Sequence, residues 1–279
     1  MLTSLRKLLG RSIHYIFKGV TQNRIKAEIT YSQPNNKLLG KHIIVTGGGR
    51  GLGYAMAKRF VAEGAKVLIV GRKEETLKKA SADIGCKYLV LDINEISHFD
   101  VFIKNAEERL GTIDTLVNNA GISLHEPTLF DVTEESFDKQ ISTNLKGPFF
   151  LSQSFIKFLL TRSVKGNILF VSSETGEMKD FRPYGFTKAA LNSMTQGFAF
   201  LLAEKGIRVN AVAPGVTASD MTGFDAKGNL YCSYNITKRV YLPDEVAEIA
   251  CFLLSDTSGC MSGQILTCNN GNSINARWK

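Results

Sequence analysis

Between residues 41 and 72 the chain switches from one hydrophobic period to another. Residues 42–46, His-Ile-Ile-Val-Thr, are mostly β-branched with no polar alternation, as in a strand covered on both faces. Over 51–63 apolar positions recur at helical spacing, with Leu52, Ala55, Met56, Phe60 and Ala62 predicted inward, and Gly64 closes the helix. A second apolar run, 66–70, completes a strand-helix-strand unit. Further strands are expected over 86–91, 114–118, 168–172 and 207–212, with a short seventh at 264–268. Strands alternating with helical segments imply an α/β fold, a doubly wound parallel sheet with helices on both faces. In such sheets ligands bind beyond the carboxyl ends of the strands.

The N-terminus follows another pattern. Leu2, Leu5, Leu9, Ile13, Ile16 and Val20 recur at three- and four-residue steps, with Lys7, Arg11 and Lys18 on the opposite side. This predicts a basic amphipathic helix over about residues 3–20. Charge supports the division: the net charge is +8, of which residues 1–38 carry +6 and the rest of the chain only +2. The body is nearly neutral, which argues against a nucleic-acid partner. Three roles stay open for the helix: packing on the body or a second subunit, peripheral membrane contact through residues 1–20, or organelle targeting. A secretory signal is not expected, because the charges run through the apolar stretch. Residues 32–37, SQPNNK, read as a linker, giving an extension over 1–37 and one catalytic domain over 38–279. No apolar run approaches the about 18 residues of a membrane span. The five cysteines form no C-x-x-C pair, so neither a disulfide framework nor a metal site is expected, and a cytoplasmic, reducing setting fits.

Gly47, Gly51 and Gly53 fill the turn after the first strand. Glycine permits positive φ and close approach of backbone to a ligand, and the amides of a helix N-terminus attract an anion, most simply a pyrophosphate. The spacing T-G-x-x-x-G-x-G, from Thr46 to Gly53, resembles the short-chain dehydrogenase/reductase family in its compact single-domain branch. The resemblance implies a Rossmann-type sheet and a nicotinamide cofactor held by Gly47, Arg50, Gly51, Leu52 and Gly53. It also brings Asp92 and Ile93 to the adenine, and Asn119, Ala120 and Gly121 of the NNAG run into the cofactor cleft. A structural role for Asn118 and Asn119 is equally open. An acid at the end of the second strand would bind the ribose 2′-hydroxyl of NAD and repel the 2′-phosphate of NADP. Gly71 stands where NAD-dependent relatives commonly have Asp, and Arg72 and Arg50 offer charged forks to a phosphate. NADP(H) is therefore preferred over NAD(H); the alternative is that both arginines are solvated surface residues.

Three Tyr-x-x-x-Lys pairs occur, at 54–58, 184–188 and 234–238, so spacing alone identifies nothing. Position selects among them. Tyr54 lies within the helix after the glycine turn, and Tyr234 sits in a segment without helical pattern. Tyr184 opens a helix just past the fifth strand, eleven residues after Ser173. Tyrosine titrates near 10, and an ammonium one helical turn away would lower that value. The stretch resembles the family's catalytic Ser and Tyr-x-x-x-Lys. The resemblance implies Tyr184 as general acid/base, Lys188 as its support and ribose ligand, and Ser173 orienting the carbonyl. Asn144 resembles the residue that bulges a helix and holds a water of the proton relay. The interval from Ser173 to Tyr184 is slightly shorter than the family's usual one, so the loop between them is compact. Pro214-Gly215 resembles the family's motif that bends over the cofactor, with Thr217 or Ser219 meeting the nicotinamide amide or the pyrophosphate.

The substrate, a small molecule of the secondary alcohol/ketone kind, is expected between the loops 122–130 and 174–183 and the segment 217–240. His125, Phe181 and Tyr234 are either contacts there or loop packing. The resemblance further implies a homodimer or homotetramer, paired through the helices after Tyr184 and Leu242. The alternative to an enzyme is a catalytically silent NADP(H)-binding or scaffold protein tethered by its N-terminal helix.

Overall fold

The structure, a computed structural model, describes residues 23–27 and 34–274. The helix predicted over 3–20 lies outside the described residues, as does the start of the linker. In chain order the regular elements are β1 (His42–Thr46), α1 (Gly51–Ala62), β2 (Lys66–Gly71), α2 (Glu74–Ile84), β3 (Lys87–Val90), α3 (Phe99–Leu110) and β4 (Thr115–Asn118). They continue with α4 (Glu134–Ile141), α5 (Gly147–Arg162), β5 (Gly166–Val171), α6 (Pro183–Leu202), β6 (Ile207–Pro214), α7 (Pro243–Leu254) and β7 (Ile265–Cys268). The seven strands form one parallel sheet in the order β3-β2-β1-β4-β5-β6-β7. The direction of winding changes between β1 and β4, so a crevice opens beyond their carboxyl ends.

Side chains alternate across a strand, and β1 shows the result. Ile43 and Val45 enter a core with Met56 and Phe60 of α1, Leu77 of α2 and Val246 of α7. Ile44, between them, joins Phe102 of α3, Phe155 of α5 and Leu191 of α6 on the other face. With both faces covered, the central strands are continuously apolar, as the sequence pattern required. Full burial of a side chain such as Phe60 stabilises by about 2–3 kcal/mol.

The predicted strands are all present, with ends displaced by one or two residues. Ala62, predicted inward, is exposed; the next residue, Glu63, is fully buried instead. The reason is an ionic cluster. Arg59 meets Glu63 at 2.6 Å and Glu248 of α7 at 2.6 Å. The other Glu63 oxygen accepts the backbone N–H groups of Asn35 at 3.1 Å and Lys37 at 3.0 Å. Burial acts to raise the Glu63 carboxyl, but these N–H groups and Arg59 outweigh it and hold the group below the usual carboxylate range. Part of the linker is thus docked rather than free, and Leu38 behind it is fully buried.

A second attachment was not foreseen. The Ile25 carbonyl accepts from Leu230 N at 3.1 Å, the Asn229 side chain bonds Ile25 N at 3.1 Å, and it also donates to Asn23 O at 3.0 Å. Ala27 packs on a small cluster containing Ala218, Leu230, Cys232 and Val240. Residues 23–27 therefore add an edge to the segment between β6 and α7.

Candidate active site

The turn after β1 is shaped by contacts that exclude side chains. Gly47 and Gly51 adopt positive φ, 66° and 54°. A Cβ on Gly53 would collide with the Gly47 carbonyl and the Asn119 amide. The first turn of α1 carries no acid, and its N-cap Arg50 makes no side-chain cap. Its leading N–H groups and positive dipole end receive no side-chain cap from Arg50, which fits a pyrophosphate. Leu52, also at this end, packs partly against the core. The NNAG run braces the turn: Asn119 Nδ2 donates to Thr46 O at 2.8 Å, and Thr46 Oγ1 accepts from the N–H groups of Asn119 and Ala120, both at 3.0 Å. Asn118 is buried and donates to Ser152 at 2.9 Å, a structural tie between β4 and α5.

Arg72, at the end of β2, is exposed and lies 3.9 Å from Asp92 at the end of β3. Ile93 is buried. Across the crevice, Pro214-Gly215 ends β6 and leads to Thr217, whose hydroxyl donates to Gly215 O at 2.9 Å. Ser219 stands beside Gly51, and Arg50 pairs with Asp220 at 2.7 Å. The glycine turn and the 217–222 segment thus face each other. His125 Nε2 bonds Met221 O at 2.8 Å, which joins the loop after NNAG to the same segment.

The second half of the site is built on β5 and α6. Ser172 bonds the Lys188 carbonyl at 3.2 Å and Asn192 at 2.6 Å, tying strand to helix. Ser173, the next residue, accepts only from Thr175 N and acts on Tyr184. The compact 174–183 loop is held by Arg182, bidentate to Asp180 at 2.8 and 2.9 Å. Gly185 allows that loop to lie against α6, because a Cβ there would strike Asp180.

Burial pushes the Tyr184 phenol up; hydrogen bonding from Ser173 and the Arg182 charge pull it down, and Asp180 and Glu174 push it up again. Lys188 is not among these leading influences. Its Nζ, 5.4 Å from the Tyr184 ring centre, donates to the Val171 carbonyl at 2.8 Å, and burial pushes it down to about 8. Asn144 lies in a π-helical turn, Ser142–Lys146, between α4 and α5. Its side chain bonds both backbone groups of Ile122 at 2.8 Å, one residue past Gly121.

The competing tyrosines are elsewhere. Tyr54 hydrogen-bonds Asp83 across α1 and α2, and Lys58 is exposed. Tyr234 is 67% exposed on the 217–240 segment, and Lys238 donates to Ser233 O. Two acids near the site were missed from sequence. Glu126 is buried against Gln140 at 2.6 Å. Glu174 immediately follows Ser173, and that adjacency was the available signal.

A family model for short chain dehydrogenase matches residues 41–229. The chain is 32% identical over 254 residues to galactitol 2-dehydrogenase of Agrobacterium fabrum, covering 85% of this chain and 98% of the relative. It is also 32% identical over 247 residues to 3-oxoacyl-[acyl-carrier-protein] reductase FabG of Chlamydia muridarum, covering 85% and 99%. Among solved structures, that of gox2181 superposes with a TM-score of 0.79 at 28% identity, over 86% of this chain and 98% of that one.

Proposed function

The chain belongs to the short-chain dehydrogenase/reductase family, and from that premise we propose an NADP(H)-dependent oxidoreductase acting on a secondary alcohol/ketone pair, with Tyr184 as general acid/base. The observation that carries this reading is the convergence of Ser173, Tyr184 and Lys188 at the carboxyl end of β5, beside the uncapped helix end that fits a pyrophosphate. The bound nicotinamide supplies the hydride. Ser173 holds the carbonyl oxygen, and Tyr184 gives it a proton in reduction or takes one in oxidation. Lys188, buried beside the tyrosine, would bond the nicotinamide ribose and pass the proton on toward solvent. Because the Asn144 side chain is spent on Ile122, the relay water belongs on the backbone of the π-turn. Gly47, Gly51, Leu52 and Gly53 would hold the pyrophosphate and Asp92 and Ile93 the adenine; Asn119, Ala120, Gly121, Pro214 and Gly215 would shape the cleft, with Thr217 or Ser219 meeting the nicotinamide amide or the pyrophosphate.

NADP(H) is favoured because no acid closes β2 and Arg72 is exposed there, with Arg50 in the glycine turn as a second charged fork. A homodimer or homotetramer is supported by apolar side chains left uncovered on α6 and α7: Phe186, Phe200, Leu201 and Phe252. A solution mass of one chain would overturn that assembly. The five free thiols suit the cytoplasm. Among the described residues no helix is long and apolar enough to cross a membrane, so membrane contact is reserved for residues 1–20.

Replacement of Tyr184 by Phe should leave NADPH affinity intact, measured by fluorescence titration, and lower turnover by at least about 100-fold. Wild-type turnover in that variant would refute the role. The scaffold reading predicts instead that unmodified protein binds NADPH yet reduces no sugar, steroid, acyl thioester or small ketone.

A further inference from the structure

Glu174 has no place in the chemistry just described, yet it is the residue after Ser173 and only 6% exposed. One of its oxygens, Oε2, accepts from Asn269 Nδ2 at 2.9 Å and Asn272 Nδ2 at 3.1 Å, both in the segment after β7. No described residue bonds the other oxygen, Oε1, which is nevertheless not sealed from solvent. Among the described residues no cation pairs with this carboxylate, and the nearby Arg182 is committed to Asp180. Glu174 opens the loop that runs from Ser173 to Tyr184, and its charge acts on Tyr184 of α6 and on Tyr234 of the 217–240 segment. A nearly dry carboxylate is costly unless its lone pairs are met. Asn269 and Asn272 meet those of one oxygen, and the other is left to water or to a ligand that displaces it.

We infer that Glu174 is a specificity-determining residue whose free oxygen accepts a hydrogen bond from a hydroxyl carried by the substrate close to the reacting carbon. The substrate class is then hydroxylated ketones and the corresponding polyols, rather than acyl thioesters or anionic keto acids. This inference rests on the oxidoreductase reading above. A site built around an acceptor discriminates strongly against analogues lacking the donor, because the acceptor is left unpaired. A substrate carboxylate in the same place is rejected by like charge.

The test uses matched pairs, 2-hydroxycyclohexanone with cyclohexanone and 4-hydroxy-2-butanone with 2-butanone, assayed with the wild type and Glu174→Gln. Glutamine retains a carbonyl oxygen for Asn269 and Asn272 but puts an NH2 donor where the free acceptor stood. Wild type should prefer the hydroxylated member by at least about tenfold in kcat/KM. The Gln variant should lose that preference by a similar factor, whatever common change the lost charge makes to both members of a pair. Its high-pH limb should also move down, because a negative charge near Tyr184 is gone. Equal wild-type activity on both members of each pair overturns the inference, as does an equal fall on both in the variant. Binding of NADPH without reduction of any of the four ketones would instead remove the oxidoreductase reading, and the inference with it.

Discussion

Lys188 is 4% exposed, and burial pushes its ammonium down to about 8. An unfolded chain would hold that proton to about 10.4. Between those values the unfolded state binds more protons, so this group's contribution to stability rises as pH rises through the window. Below it, both states are protonated and the full cost of burying the charge is felt. Denaturant titrations of wild type and Lys188→Met at pH 7 and pH 10 should therefore converge: the gain from methionine should shrink with pH by on the order of 3 kcal/mol. A difference that is flat in pH would place the lysine charge in solvent. At this scale the sequence singled out the proposed reacting groups by position, since Ser173 and Tyr184 flank one strand end and one helix start. It did not reveal what surrounds them. Glu174 reaches Asn269, 95 positions away, and nothing in local spacing announces such a contact.

In the proposed reading the choice of nucleotide falls to the ends of β2 and β3. Arg72 and Asp92 are 3.9 Å apart and largely open to water, a pairing worth little and readily exchanged for a phosphate. Arg72→Ser should raise the KM for NADPH by about tenfold or more while moving that for NADH less than about twofold, in steady-state assays. Comparable kcat/KM for both nucleotides in the wild type would reverse the assignment. The elements were legible where pattern and burial coincide, as in β1 and β2. Their ends were less so, because β6 continues to Pro214 through pairing with β7, which local residues do not encode. The π-turn was readable only through the motif around Asn144. Ala62 fails for a comparable reason: the helical period is sound, but an ionic cluster draws Glu63 inward in its place.

At the scale of the whole molecule, the extension is attached at two points, residues 34–38 on Glu63 and residues 23–27 on the 217–240 segment. A chain beginning at Pro34 keeps the first and loses the second. It should show faster hydrogen exchange at residues 218–232 and a several-fold higher substrate KM, with kcat within about twofold and NADPH binding unchanged. Unchanged exchange there would mean that the contact is incidental. Hydropathy could mark 1–37 as distinct from the body, but it could not say where the extension touches down, because Ile25 meets Leu230 through backbone groups that every residue possesses.

That contact also sets a direction. Asn23 is bound beside Asn229, on the 217–240 segment. On the proposed membrane role, a surface that received residues 1–20 would pull first on the 217–240 segment, since residues 23–27 are held there.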